Sequence, residues 1–380
     1  MAKRHLVIVG GGAAGLAAAV TAARLGAQVT VLERADRVGR KILQTGNGRC
    51  NLSNTAVSPA AYNAPDFVAP VISKIGCDKL RSFFAGLGLF SYADEQGRVY
   101  PVSDAASSVL DILRISCDEY SVQTLCGFEA TRILPDGVIC AADGRTVLGD
   151  AVMIATGGGT TLLKSAGHRI VPFSPVLCPL KTDTAPIRGL SGLRAKCAVT
   201  LLRGEKTLHS LHGELLFRDY GVSGIVIFDL SRYAEPGDVL SVDLLPDFTY
   251  AELCKLFTDR AAMHPLRRGE TFLTGIFHSR IAAALLRAAG GTNPIKLAQT
   301  VKKFRLTVRG CGDQKQSQVT RGGAALTEFD SGTLRSLFSP RLYAAGEALD
   351  IDGACGGYNL HWAFASGILA AHSAIGESYD

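Results

Sequence analysis

Residues 6–9 (LVIV) form a short β-branched apolar run, as a strand buried on both faces of a parallel sheet requires. The run passes into Gly10-Gly11-Gly12-Ala13-Ala14-Gly15, which opens an alanine-rich helical stretch reaching to about Leu25. Gly26 stops that stretch, and a second strand over 28–32 ends at Glu33. A strand, a G-x-G-x-x-G turn, a helix and a second strand closing on an acid predict a βαβ unit that binds a dinucleotide. Gly10 permits the tight turn, Gly12 lets backbone approach a pyrophosphate, and Gly15 lets helix pack on strand. The helix N-terminus offers the N–H groups of Ala13 and Ala14 and a positive dipole end to the phosphates. Glu33 suits a ribose hydroxyl pair and would repel a 2′-phosphate, so FAD or NAD fits better than NADP. Arg34 follows and is counted with the cofactor-binding residues.

A second glycine loop lies just beyond: Gly39-Arg40-Lys41, then Thr45-Gly46-Asn47-Gly48-Arg49-Cys50-Asn51. Glycines mixed with Arg, Lys and Asn beside a pyrophosphate site suit anionic oxygens or the polar edge of a flavin, although a plain polar turn has the same composition. Ala155-Thr156-Gly157 ends a predicted strand over 147–155, where FAD-binding folds commonly return to the dinucleotide, and Phe128 precedes it. A third loop recurs near the C-terminus. A strand-like run over 342–345 leads to Gly346-Glu347 and then to Gly356-Gly357-Tyr358-Asn359, ahead of an apolar helix over about 360–374. A helix N-terminus there would stabilise negative charge on a reduced flavin, with Asn359 backbone and side chain facing its O2/N3 edge.

Between these blocks the pattern predicts a helix over 105–116 with Ser103 or Asp104 as N-cap, and strands over 122–125 and 128–134. Residues 181–245 alternate as strands, and 251–262, 276–289 and 294–303 read as helices before a strand over 304–309. The expected class is α/β. A Rossmann-like FAD domain with a parallel sheet and a β-hairpin or meander (1–182 and 322–380) is interrupted by a β-barrel-like, substrate-bearing domain (183–248 and 304–321). A small helical domain (249–303) completes it.

Glycine makes up 42 of the 380 residues, some fifteen more than its usual share of about 7%. The three loops above, 157–159 and 322–323 absorb most of that excess. The formal net charge is +6 with basic residues dispersed, and the densest cluster (Lys302, Lys303, Arg305, Arg309) lacks interleaved aromatics, which disfavours nucleic acid. The ten cysteines include no Cys-x-x-Cys pair, which argues against structural zinc and a vicinal redox disulfide and suits reduced thiols in a cytoplasmic protein. His209 and His212, read as sharing a helix face or a loop, lack a third ligand, so no metal site is expected. The uncharged run over 5–23 resembles a secretory signal, but its glycines make a poor apolar segment, and no membrane span is expected.

GGGAAGLAAA (10–19), GRKILQTGNGRCNLSN (39–54), GRVYPVSDAASSVLDIL (97–113), ATGGGT (155–160), GELLFRDYGVSG (213–224), VTRGG (319–323) and GEALDIDGACGGYNLHWAFASG (346–367) together resemble the BaiN-like flavoproteins, also called the aminoacetone-oxidase family. That resemblance implies the three-part fold, non-covalent FAD, Glu33 at the ribose, and the 39–51 and 346–359 loops around pyrophosphate and flavin. The sequence departs from the family where a Thr-His pair is usual, having Arg218, Asp219 and Tyr220, and Ile225 stands where a proline is usual. Tyr100, Arg218, Tyr220, Tyr358 and His361 are the candidate catalytic groups. Packing is the blander role for each tyrosine, a structural role for His361, and an ion pair with Asp219 or Glu214 for Arg218. The expected activity is reduction of a small or flat organic substrate, for instance at an activated C=C bond, with NAD(P)H as transient donor. The alternatives are an amine or hydroxy-acid oxidase making hydrogen peroxide, and an RNA-associated flavoprotein. Nothing in the sequence sets the oligomeric state.

Overall fold

The computed structural model describes residues 3–134, 136–159, 161–312 and 319–379. The chain divides into two compact units, Met1–Ser174 with Thr320–Asp380, and Pro175–Val319. Thr160, the last residue of the ATGGGT block, lies outside the described residues, as do 313–318.

The first unit follows the βαβ prediction closely. His5–Val9 (β1), Ala13–Arg24 (α1) and Gln28–Glu33 (β2) form it, with β1 and β2 parallel in the register Val9 to Leu32. Ser53–Asn54 (β3) precedes Pro65–Lys74 (α2) and Cys77–Ala85 (α3), and Ser91–Ala93 (β4) and Arg98–Pro101 (β5) make a hairpin on which β3 pairs. Ala106–Glu119 (α4) then leads to Gln123–Cys126 (β6). The N-cap of α4 is Ala105 without a side-chain cap, so neither Ser103 nor Asp104 has the expected role. Asp104 has a φ of 50° and takes an ion pair from Arg49 instead.

Ala130–Ile133 (β7), Val138–Ala141 (β8) and Thr146–Leu148 (β9) form an antiparallel meander, and Ala151–Ile154 (β10) is a separate strand. The single strand expected over 147–155 is therefore two. Gly149 breaks it, because a Cβ there would press on Val7 and on the Ala151 carbonyl. Thr161–Ser165 (α5) and Ile170–Val176 (β11) follow.

In the second unit, Leu180–Thr182 (β12), Arg194–Arg203 (β13), Lys206–Arg218 (β14), Gly221–Ser223 (β15), Val239–Asp243 (β16) and Phe304–Cys311 (β17) close a barrel in the order β12-β15-β14-β13-β16-β17. Closure leaves no sheet edge exposed. Gly204 supplies the positive φ, 60°, for the tight turn between β13 and β14. Ile225–Ser231 (α6), Tyr250–Met263 (α7), Ser279–Ala289 (α8) and Pro294–Lys302 (α9) are the helices. A Thr249–Glu252 capping box starts α7, Asn293 caps α9 ahead of Pro294, and Gly290 ends α8 at a φ of 69°. Leu253, Phe257, Leu285 and Leu297 share one core with the barrel residues Leu201, Phe217, Leu240 and Leu306. The helical stretch thus packs into the barrel's core, and β12, placed by the sequence in the first domain, is a barrel strand.

Val319–Ala324 (β18), which pairs with β11, Leu342–Ala344 (β19) and Tyr358–Ile375 (α10) complete the chain. The main sheet of the first unit has the all-parallel order β19-β10-β1-β2-β6. Both faces of its strands are covered: Leu6, Val7, Ile8, Val31, Val152, Met153 and Ile154 are all buried. Helices α1 and α10 pack on each other so closely that a Cβ at Gly367 would run into the backbone of Ala14. No helix of the described residues is long and apolar enough to cross a membrane.

Candidate functional site

The site grows from the carboxyl ends of β1, β2, β10 and β19, where a doubly wound sheet opens its crevice. Gly10 turns the chain at a φ of 110°, its N–H donating to Leu32 O at 2.8 Å, and a Cβ on it would press into the Ala155 carbonyl. A Cβ on Gly15 would overlap the Gly10 carbonyl, so helix and turn are in direct contact. Gly12 differs: nothing lies within 4 Å of the place where its Cβ would stand. The first turn of α1 begins there with N–H groups of Ala13 and Ala14 that have no intrahelical acceptor. Open space over free amides at a positive helix end is a cradle for an anion.

Both Glu33 oxygens hold backbone, Oε2 accepting from Gly11 N at 2.8 Å and Oε1 from Ala35 N at 2.9 Å. Each keeps lone-pair capacity for a hydroxyl, so the acid is fixed in orientation ahead of any ligand. Arg34 is exposed, and Phe128 is fully buried with the Arg145 guanidinium 4.9 Å from its ring centroid. The Phe128 side chain packs at the end of β2, and its backbone N–H donates to Glu33 O.

The loop after β2 is tied to the fingerprint by Gly39 N donating to Gly11 O at 2.7 Å. Positive φ values at Gly46, Asn47, Gly48 and Cys50 coil it tightly. Thr45 donates to Ile42 O, and Arg40 makes an exposed pair with Asp36. Arg49 turns away from any phosphate role: its guanidinium lies 4.1 Å over the Tyr100 ring and pairs with Asp104, which also accepts from Tyr92. Cys50 is buried and desolvation pushes its thiol up to about 12, so it is inert filler. Asn51 carries the informative orphan: it is 8% exposed, and its Oδ1 has no hydrogen-bond partner among the described residues. A buried amide oxygen without a donor costs free energy unless a ligand supplies one.

The two other loops close on these. Lys41 Nζ reaches Glu347 Oε2 at 2.7 Å, and a Cβ on Gly157 would stand 3.6 Å from the same carboxylate. Ala155 is buried, Thr156 half-buried with its hydroxyl on Gly159 O, and Gly346 sits against Ala14. Gly356 and Gly357 run beside β3, where Asn54 Nδ2 donates to Gly356 O at 3.0 Å. At Gly357, φ 104°, a Cβ would collide with the Ser53 carbonyl and stand 2.7 Å from Asn51 Oδ1. The orphan oxygen therefore lies at the N-terminus of α10.

Tyr62, Asn63 and Arg321 hold this loop from outside and were not singled out by the sequence. Tyr62 OH donates to Tyr358 O, Asn63 exchanges hydrogen bonds with Asp352, and Arg321 forks onto the fully buried Asp352 at 2.6 and 3.0 Å. The VTRGG block carries Arg321, but only the fold shows that its partner is Asp352.

Three readings change. The Asn359 side chain is occupied within its own loop, Oδ1 accepting from Gly353 N and Nδ2 donating to Gly353 O and Ala354 O. Both of its N–H donors are spent there, which leaves its backbone and one Oδ1 lone pair for a ligand. His361 is fully buried, Nε2 donating to Ile75 O at 2.9 Å and Nδ1 accepting from Ser53 at 2.8 Å. Burial lowers its pKa to about 4, so it is a neutral strut joining α10, α2 and β3 with no ring nitrogen left for substrate. His209 and His212 lie on strand β14, not on a helix or loop, and the His209 ring stacks on Tyr233.

Tyr100 is buried, with the Arg49 and Arg98 guanidinium groups 4.1 and 6.0 Å from its ring centroid, and Tyr358 is half-buried at the first position of α10. Arg218 and Tyr220 lie in the second unit at the end of β14 and in the turn after it, Arg218 exposed. Glu214, an expected partner of Arg218, is taken by Arg194 across the hairpin. No cluster of three or more metal-ligating side chains occurs among the described residues.

Comparison with known proteins places this arrangement. The family model described as HI0933-like protein Rossmann domain matches residues 4–373. The 3-dehydro-bile acid delta(4,6)-reductase of Clostridium scindens is 35% identical, over 97% of this chain and 98% of that protein. The ribosomal RNA dihydrouridine synthases of Haemophilus influenzae and Escherichia coli are 28% and 26% identical, over 97% and 99% of this chain and equal shares of their own. Among solved structures, a 3-ketosteroid delta1-dehydrogenase from Sterolibacterium denitrificans superposes with a TM-score of 0.51 at 14% identity, covering 98% of this chain and 100% of that one. That last likeness is one of fold.

Proposed function

The chain belongs to the HI0933-like Rossmann family, and from that premise we propose that this FAD-dependent oxidoreductase reduces a carbon–carbon double bond conjugated to a carbonyl in a flat organic substrate, taking its electrons from NAD(P)H. The observation that carries the reaction class is the end-to-end 35% identity to a reductase whose named substrate is an unsaturated 3-keto steroid acid. The two RNA-modifying relatives support the same bond class, because making dihydrouridine saturates a double bond conjugated to a uracil carbonyl. None of these three is named as an oxidase, so the oxidase reading has no support from them.

Two features of the first unit fit the cofactor: the open cradle over Gly12 and the orphaned Asn51 Oδ1 beside the N-terminus of α10. FAD, when bound, supplies the hydride relay between donor and substrate. The chain's own contribution is placement. Ala13 and Ala14 amides with the α1 dipole would hold the pyrophosphate, and Glu33 the ribose. Asn51 Oδ1 would accept an N–H from the isoalloxazine edge, and the α10 N-terminus would favour negative charge there. The Lys41–Glu347 pair and the Arg321–Asp352 fork keep the loops closed on the same space. Saturating a conjugated bond also needs a proton, and Tyr358 and Tyr100 are the hydroxyls of this unit to test as its source.

The experiment is anaerobic. FAD-loaded protein is mixed with NADH or NADPH, flavin bleaching is followed, and a steroidal enone is then added. Bleaching by one nucleotide and reoxidation by the enone are expected. Absence of bleaching by both removes the nicotinamide link, and bleaching without enone reoxidation removes the substrate class. A second reading, in which the double bond belongs to uridine in ribosomal RNA, is favoured by the 28% and 26% identical relatives. Reoxidation by unmodified ribosomal RNA, with dihydrouridine formed, would select it over the small molecule.

A further inference from the structure

The second unit holds two thiols that the redox chemistry of the first does not use. Antiparallel pairing of β12 with β17 sets Leu180 opposite Cys311, and Gly312 N donates to Pro179 O at 2.7 Å, extending the ladder beyond the strand. That register carries Cys178, two residues before β12, to the end of β17. The sulfurs converge on one acceptor: Cys311 Sγ lies 3.8 Å and Cys178 Sγ 4.0 Å from Pro175 O. Cys178 is fully buried with its backbone N–H on Ser231 Oγ, while Cys311 is partly exposed. An accessible sulfur in front of a buried one is the layout of an attacking and a resolving cysteine.

We propose that Cys178 and Cys311 form a reversible dithiol–disulfide site that reacts with small disulfides such as oxidised glutathione. The Cys311 thiolate attacks one sulfur of the glutathione disulfide, forming a mixed disulfide and releasing one glutathione thiolate, which takes up a proton. Cys178 then loses its proton and attacks the Cys311 sulfur, expelling the second glutathione. The protein dithiol is oxidised by two electrons, the small disulfide is reduced by two, and two glutathione thiols leave. The electrostatics agree: the neighbouring Cys178 lowers the Cys311 pKa to about 7, while Cys311 and burial push Cys178 up. The bond would join the two ends of the unit, which runs from Pro175 to Val319, so oxidation would clasp the barrel where the chain enters and leaves it.

The test uses the full-length protein, reduced, freed of reductant and equilibrated with glutathione redox mixtures, with the thiols then alkylated and mapped by mass spectrometry. A Cys178–Cys311 cross-link is expected, and it should revert on adding reduced glutathione. In C178S the expected product is a stable glutathione adduct on Cys311, and in C311S the buried Cys178 stays unmodified. At neutral pH Cys311 of the reduced wild type should alkylate about 10-fold faster than the exposed Cys126, whose thiol is shifted upward. Wild type in which Cys126 takes glutathione while Cys178 and Cys311 remain free thiols overturns the proposal. So does a cross-link joining either of them to a different cysteine. The wild-type map decides the matter even if a variant fails to fold.

Discussion

At the scale of single residues, a histidine and an asparagine divide the labour around the N-terminus of α10. His361 is spent on structure. The Ile75 carbonyl can only accept, so the ring proton sits on Nε2 and Nδ1 accepts from Ser53. Its pKa falls from 6.5 to about 4 because burial penalises the charged ring. The unfolded chain therefore takes up a proton in that interval which the folded chain refuses. Stability contributed by the neutral ring is complete above pH 6.5 and is lost as pH falls towards 4, by about 3 kcal/mol. His361→Gln keeps a donor for Ile75 and removes the titration, so its urea-unfolding free energy should vary less with pH over that window by about the same amount. Equal pH slopes in the two proteins would contradict the assignment. Asn51 is the opposite case, a buried amide whose oxygen is left for something outside the chain.

At the scale of elements, α1 and α10 form a single device. Gly367 lets α10 lie against the backbone of Ala14, and Trp362 Nε1 donates to Gly346 O at 3.1 Å, so the two helix N-termini and the loop after β19 are positioned together. Two glycines of this device separate packing from binding. Gly367→Ala drives a methyl into the Ala14 backbone and should destabilise the protein by about 1–3 kcal/mol while loosening FAD. Gly12→Ala meets no protein atom and has an ordinary φ of −87°, so stability should change by less than about 1 kcal/mol. Its methyl nevertheless fills the cradle, and FAD affinity should drop by at least ~10-fold, or about 1.4 kcal/mol. Thermal melting of the apoproteins and equilibrium titration with FAD check both arms. A Gly12→Ala protein that binds FAD at wild-type strength would remove the cradle.

At the scale of the molecule, two separate cores, one under the parallel sheet and one inside the barrel, give each unit its own cooperative interior. Calorimetry of the apoprotein should resolve two transitions. FAD at about 100 times its dissociation constant should raise only one, by about 2.7 kcal/mol. Hydrogen exchange should assign that transition to residues 1–174 and 320–380. A single transition moved as a whole by FAD would show that the units unfold as one.

What could be read without the fold was local. β1, α1 and β2 follow from an apolar run, glycine spacing and an acid within 33 residues, because each depends on neighbours a few positions apart. Helices α7 and α9 were legible for the same reason, their caps being written beside them. Pairings across long stretches of chain were not. Barrel closure by β12 and β17, Arg321 on Asp352, Ser53 on His361 and Cys178 beside Cys311 join positions between 31 and 308 residues apart. Side-chain duty was hidden too: Asn359 and Arg49 carry the right groups for a ligand, yet the fold turns both onto the protein. The sequence by itself determined that a dinucleotide-binding βαβ unit forms, since backbone sterics and periodicity act over a few residues. Only the tertiary structure decided which polar groups remain unpaired around it, because satisfying a buried donor or acceptor depends on whatever the folded chain brings alongside.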